Sequence, residues 1–318
     1  MSASDQASTS STAASGTSPK PTRWWHFQSI YHAGWEMLLM RLGFAFIIWR
    51  NIPSIIGYTE MPKPHGIGQW IDLTFFSNPE IASVLHWILL LALLVYVSGR
   101  FALISLSFLL FMSVGTETLI NSQGAIGHTS QIVSLVIFAQ WLAALYAFWC
   151  QRAARKQKNG YFSTIPYGYT PTQLSMDWTR QMVAATYVVS AVTKLDASDG
   201  RWIWDAPKFG LQVMKANDMD FYNSLQPVEK SMSALAEMLM AYPWLARVVI
   251  GVGLPLELFA FLLAWNRPVA FFYALALIAF HLSVGIMMEL DFLFNSLILL
   301  VFCVNLPYAL MWIYRKFA

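Results

Sequence analysis

The stretch "IASVLHWILLLALLVYVSGRFALISLSFLLFMSVGTETLI", residues 81–120, decides the fold class. It holds two apolar runs, 81–98 and 101–120, parted by Gly99 and Arg100. A helix needs about 20 mainly apolar residues to cross a hydrocarbon core of roughly 30 Å, and each run meets that need. Working outward, similar runs lie near 36–57, 129–150, 178–195, 245–266, 268–288 and 290–313. The sequence thus predicts an all-α integral membrane protein, a polytopic bundle of about eight transmembrane helices. Composition agrees: of 318 residues 57% are hydrophobic and 12% charged, with a mean hydropathy of +0.50, values outside the soluble range. Two runs are interrupted by charge, the first by Arg41 and Arg50 and the fifth by Asp177 and Arg180 at its start, so these two could be tilted or partly interfacial.

Lysine and arginine near span ends bias a loop toward the cytoplasm. With eight spans and the N-terminus inside, Arg100, the set Arg152, Arg155, Lys156 and Lys158, then Arg267, Arg315 and Lys316 all fall inside, giving an N-in, C-in arrangement. Nearly every acid, from Glu60 to Asp291, falls outside. The long outer segment 196–244 carries Trp202, Trp204, Phe209, Tyr242 and Trp244, which suits an extracytoplasmic aromatic loop against the headgroups. Within it, 221–241 has helical spacing of polar and apolar residues after Pro227 and predicts an amphipathic surface helix. Residues 1–30 are polar and open on a Ser/Thr/Ala-rich stretch, a predicted disordered tail, which leaves 31–318 as the membrane domain. The net charge of +3 is spread thinly and gives nucleic acid no footing as a partner. Cys150 and Cys303 lie in or beside apolar runs, so no disulfide framework is expected.

Polar groups inside a bilayer are expensive unless they face a cavity or a partner, and His128, Lys194, Glu257 and His281 stand out on that ground. Lys194 ends the fifth span and His128 opens the fourth, both on the outer side, so the two could share a site. Lys194 is either a base, its amine deprotonated more readily by partial desolvation, or a snorkelling residue whose head reaches the interface; Asp196 could also pair with it. Gln131 follows His128 by three residues, on roughly the same helical face. His281 is deeper, suited to function or to an interhelical hydrogen bond. Glu257 has His281 or Arg41 as candidate partners, while Gly251, Gly253 and Pro255 would permit close helix approach and free a backbone carbonyl. The six histidines show no metal-ligand spacing, so no metal is expected.

These elements, in order, resemble the vitamin K-dependent gamma-carboxylase family and the wider horizontally transferred transmembrane (HTTM) domain. The resemblance runs over roughly residues 33–315 and rests on "GHTSQIVSLVIFAQ" (127–140), "YVVSAVTKLDASDGRWIWD" (187–205), "PLELFAFLL" (255–263) and "AFHLSVGIMMELDFLFNSLILLVF" (279–302). Its most specific part is Tyr187 and Ser190 leading to Lys194, Leu195, Asp196, Ala197 and then Trp202. The resemblance implies a catalytic Lys194 that deprotonates reduced vitamin K or a similar quinol such as menaquinol, with His128 assisting. It implies a substrate pocket lined by His281, Glu257, Tyr187, Gln131 and Trp202. Gly127 precedes His128 where the carboxylases carry an asparagine, and their soluble peptide-recognising portion has no counterpart in these residues. The functional expectation is therefore a carboxylase-like membrane enzyme drawing a lipid quinone from the outer face. The alternative is a non-catalytic membrane partner or scaffold that matures, anchors or exports another polypeptide, membrane-bound or secreted. The lipid bilayer is a partner in either case, and the short loops suit a bacterial inner membrane.

Overall fold

The computed structural model describes residues 30–57, 66–123, 129–156, 170–225, 230–288 and 290–317. Among these the protein is all-helical, with no strand. The expected disordered tail lies, except for Ile30, outside the described residues, and so does His128.

The chain begins with α1 (Gly34–Asn51), α2 (Pro79–Ser98), α3 (Ala102–Asn121), α4 (Gln131–Lys156) and α5 (Pro171–Ala197). Asn78 starts α2 by accepting hydrogen bonds from the N–H groups of Glu80 and Ile81 at 3.0 and 3.2 Å, with Pro79 at the first helical position. Gly99 ends it at φ +70°, in left-handed backbone that only glycine adopts freely. The same glycine leaves room for Arg41 of α1, whose guanidinium would lie 1.9 Å from an added Cβ. That tight turn makes α2 and α3 antiparallel neighbours.

α2, α3, the Gln131–Arg152 part of α4, and α11 (below) are long and apolar enough to cross a membrane. The protein is thus multi-pass. α1 carries three charges in 18 residues and α5 four in 27, and neither belongs to that set of four. Both nevertheless pack into the common core, where Phe44 and Ile48 of α1 and Val183 and Tyr187 of α5 are buried with Leu89, Leu109 and Val136. Polar side chains tie these helices across their apolar faces. Tyr96 donates to Gln140 at 2.8 Å and Gln140 to Thr179 at 3.1 Å, linking α2, α4 and α5. Ser113 and Ser134 link α3 to α4 at 2.7 Å.

The segment expected as an outer loop is largely helical. It forms α6 (Trp202–Asp205), α7 (Phe209–Ser224) and α8 (Lys230–Ala241), followed by α9 (Pro243–Val249) and α10 (Gly253–Leu258). Ala206, Val213, Ala236, Leu239, Ala246 and Ile250 make a separate small core there. The stretch 221–241 is divided: its first residues finish α7, and its amphipathic part is α8. Trp204, Tyr222, Tyr242 and Trp244 are exposed around this cap.

Hydropathy also smooths over breaks. The run 245–266 is α9, α10 and a 3-10 segment at Ala260–Ala264, and Ala234–Ala241 meets Pro243–Leu258 at 108°. α11 (Arg267–Met288) is continuous. α12 (Leu293–Leu299) runs through a π turn, Leu300–Val304, to Asn305 at φ +50°, where the chain bends 47° into α13 (Leu306–Phe317). Asparagine tolerates that left-handed step better than most side chains. If each bent pair is one span, the number of candidate spans rises from four to six.

Candidate functional site

Lys194 lies in the last turn of α5, at the end of the bundle capped by α6–α8. Its Nζ donates to both carboxylate oxygens of Glu257 on α10, and Ser190, one turn back on α5, donates to Glu257 Oε2 at 3.3 Å. The Glu257 side chain is 6% exposed and that of Lys194 27%. The lysine therefore turns inward instead of extending to the interface. Of the two partners expected for Glu257, neither is used: Arg41 binds its own helix at Met37 O, 3.3 Å, and His281 faces Tyr187.

α10 reaches this position because Gly253 packs against Phe280 of α11, where an added Cβ would meet the ring at 2.2 Å. Gly251, by contrast, is required by its own backbone, since its Cβ would meet Arg247 O at 2.1 Å. The carbonyls around Pro255 are taken up by Tyr273, whose hydroxyl donates to Leu256 O at 2.7 Å.

The next layer is aromatic. The Tyr187 hydroxyl and His281 Nε2 are 2.7 Å apart, Phe292 stacks on the His281 ring at 4.7 Å between centroids, and Phe280 flanks it at 5.9 Å. Trp202 of α6 lies over the Lys194 ammonium at 5.5 Å, within cation–π range. The structure thus brings together Lys194, Glu257, Tyr187, His281 and Trp202. Gln131 is an exposed residue at the first position of α4, and none of these bonds reaches it. Two participants were not singled out in the sequence: Phe292, and Asn295, whose side chain lies near Tyr187. A polar amide within the run 290–313 was the available signal. An apolar cleft of about 570 Å³ lies elsewhere, between α3 and α4, lined by Ile67, Leu110, Phe111, Phe138 and Trp141. One lining hydroxyl is occupied by Trp141, which donates to Ser107 at 2.8 Å, so the cleft offers little acid–base chemistry.

A second polar cluster sits at the opposite end of α5 and α11. Arg267 donates to both carboxylate oxygens of Glu36, at 3.0 and 3.3 Å, and to Tyr31 O at 2.6 Å, and stacks on Tyr308 at 3.8 Å. Asn305 donates to Glu36 at 3.2 Å, and His32 Nδ1 lies 3.2 Å from the same oxygen. Gln173 of α5 donates to Ile30 O at 2.7 Å and accepts from His32 N–H at 3.0 Å. Burial holds His32 below its ordinary value, reinforced by the Arg180 and Arg267 charges and opposed by Glu36. The unfolded chain therefore binds a proton near pH 6.5 that the folded one resists. Stability supplied by neutral His32 is present above about 6.5 and lost as pH falls through the folded value. Thermal melts in detergent at pH 7.5 and 5.0 should show a loss on acidification that His32→Asn reduces; an unchanged loss would assign it to other groups.

No family model, curated protein or solved structure matches this chain.

Proposed function

We propose that this protein is an eight-span HTTM-like membrane enzyme, N-in and C-in, with a proton-transfer site open to the outer side of a bacterial inner membrane. The substrate is an apolar hydroxyl compound, a lipid quinol of the menaquinol or reduced vitamin K type. The observation that carries this reading is the inward-turned Lys194, paired with buried Glu257 and covered by Trp202. α1 and α5 join the six spans counted on apolarity, because Glu36, Asp177, Arg180 and Lys194 are paired inside the bundle while Arg50 and Asp196 lie exposed near helix ends.

The ion pair gives the base a way to be neutral. Passing one proton from the Lys194 ammonium to Glu257 yields an amine and a carboxylic acid without changing net charge. The amine then takes the substrate's hydroxyl proton, and the resulting phenolate rests against the new ammonium, an arrangement favoured in a low-dielectric site. His128 is assigned the assisting role by the family resemblance alone.

A second reading keeps one observation in its favour. The Lys194–Glu257 pair would look the same if it only pinned α5 to α10, and the protein would then be a non-catalytic membrane partner or scaffold for another polypeptide. Consumption of 2-methyl-1,4-naphthoquinol by protein in lipid nanodiscs, with dioxygen supplied as the two-electron oxidant, separates the two. Lys194→Ala and Glu257→Gln should each lower it by about 100-fold or more, in the upper range for one acid–base group, and Lys194→Arg should not restore it. Wild-type turnover equal to that of well-folded Lys194→Ala would support the scaffold.

A further inference from the structure

His281 is 3% exposed, yet its Nδ1 has no hydrogen-bond partner among the described residues. The state of that nitrogen follows from its neighbours. A tyrosine hydroxyl has one hydrogen and two lone pairs. Among the described residues, His281 Nε2 is the hydrogen-bond partner within reach of the Tyr187 hydroxyl. The phenolic hydrogen is then best placed on His281 Nε2, 2.7 Å away. A neutral imidazole accepting at Nε2 carries its hydrogen at Nδ1. Nδ1–H is thus a buried donor lacking an acceptor, a costly arrangement that native proteins retain for a reason.

The ring is also fixed. Phe292 stacks on it, Phe280 flanks it, and Tyr187 holds one edge. Lys194 lies seven residues beyond Tyr187 on α5, so both present to the same face of that helix. A preorganised donor and a cation near it favour an oxygen that accepts hydrogen bonds, and they disfavour a ligand that presents an ammonium.

We infer that His281 Nδ1–H is the recognition donor for a carbonyl or phenolate oxygen on an apolar ligand, with Tyr187 as the residue that positions it. This rests on the reading of the Lys194 site as a ligand site. The ligand class is an apolar ring bearing an acceptor oxygen, and selectivity for that oxygen belongs to α11 and α12.

The test compares 2-methyl-1,4-naphthoquinone with 2-methylnaphthalene, which lacks the oxygens, binding to full-length protein in nanodiscs. Wild type should hold the quinone about 10-fold more tightly, the worth of one well-made hydrogen bond. His281→Asn keeps an amide nitrogen near the Nδ1 position and should stay within about 3-fold of wild type. His281→Gln reaches instead toward Tyr187 and should bind both probes alike. The reverse order of the two variants, or equal binding of both probes to wild type, overturns the donor role. That outcome leaves the Lys194 reading standing if naphthoquinol turnover still depends on Lys194. No binding of either probe to wild type overturns both. Should neither variant fold, nitrogen-15 spectra of histidine-labelled wild type decide: the Nδ1–H tautomer must be present at His281 and its signal must move with the quinone, whereas the Nε2–H tautomer or an unmoved signal overturns the inference.

Discussion

Lys194→Ala is expected to destabilise the protein by about 3 kcal/mol, the lower end of the cost of breaking a buried ion pair. The lower end applies because the lysine side chain is 27% exposed, which lets water share in its charge. The damage comes from the carboxylate left behind. Glu257 would keep Ser190 as a partner, at 3.3 Å, and lose the cation that offsets its burial. Adding Glu257→Gln to Lys194→Ala removes the stranded charge, so the double variant should recover most of the loss. Denaturation of all three variants and wild type in one detergent makes the cycle. A double variant as unstable as Lys194→Ala would show that packing of the lysine stem, and no charge pairing, was at stake.

Arg267→Met should cost a similar amount, about 3–5 kcal/mol, at the far end of the bundle. Glu36 is 4% exposed, and among the described residues Arg267 is the arginine paired with it; His32 beside it has its pKa lowered by burial and is a weaker counter-ion. The variant also loses the bond to Tyr31 O and the stack on Tyr308. Arg267→Lys should recover less than half, because one ammonium cannot hold Glu36 and Tyr31 O together while stacking a planar face on Tyr308. Equal stability of the Lys variant and wild type would reduce Arg267 to a point charge. The further variant Arg267→Met/Glu36→Gln should again regain stability, measured by the same melts.

The sequence made the apolar helices plain because their length alone answers the question a bilayer asks. α2, α3 and α11 coincide with apolar runs within a few residues. What hydropathy could not show were the bends at Tyr242 and at Asn305, since averaging over a window treats a bent helix and a straight one alike. Lys194, Glu257 and His281 were visible as polar residues in apolar surroundings. Their pairing was not, because it depends on how far each helix is rotated and shifted against the next. Thus Glu257 was expected against His281 or Arg41 and meets Lys194, while Asn295 passed as one amide in a hydrophobic run. The segment 196–244 was legible as aromatic, but its helical cap is held by small residues such as Ala206 and Ala236, which carry no conspicuous pattern.

The two polar clusters share α11, and this fixes something apolar packing leaves nearly free. Faces of leucine and valine sliding past one another by a turn exchange one set of methyl contacts for a similar set, so axial position in such a bundle is close to degenerate. α11 is anchored at its first residue, Arg267, and again at His281, fourteen positions later and about 21 Å along the axis. A shift of one turn, about 5.4 Å, would break both anchors together. The charged and aromatic ends thus act as alignment pins, and the chemistry around Lys194 inherits its geometry from a contact at the other end of the same helix.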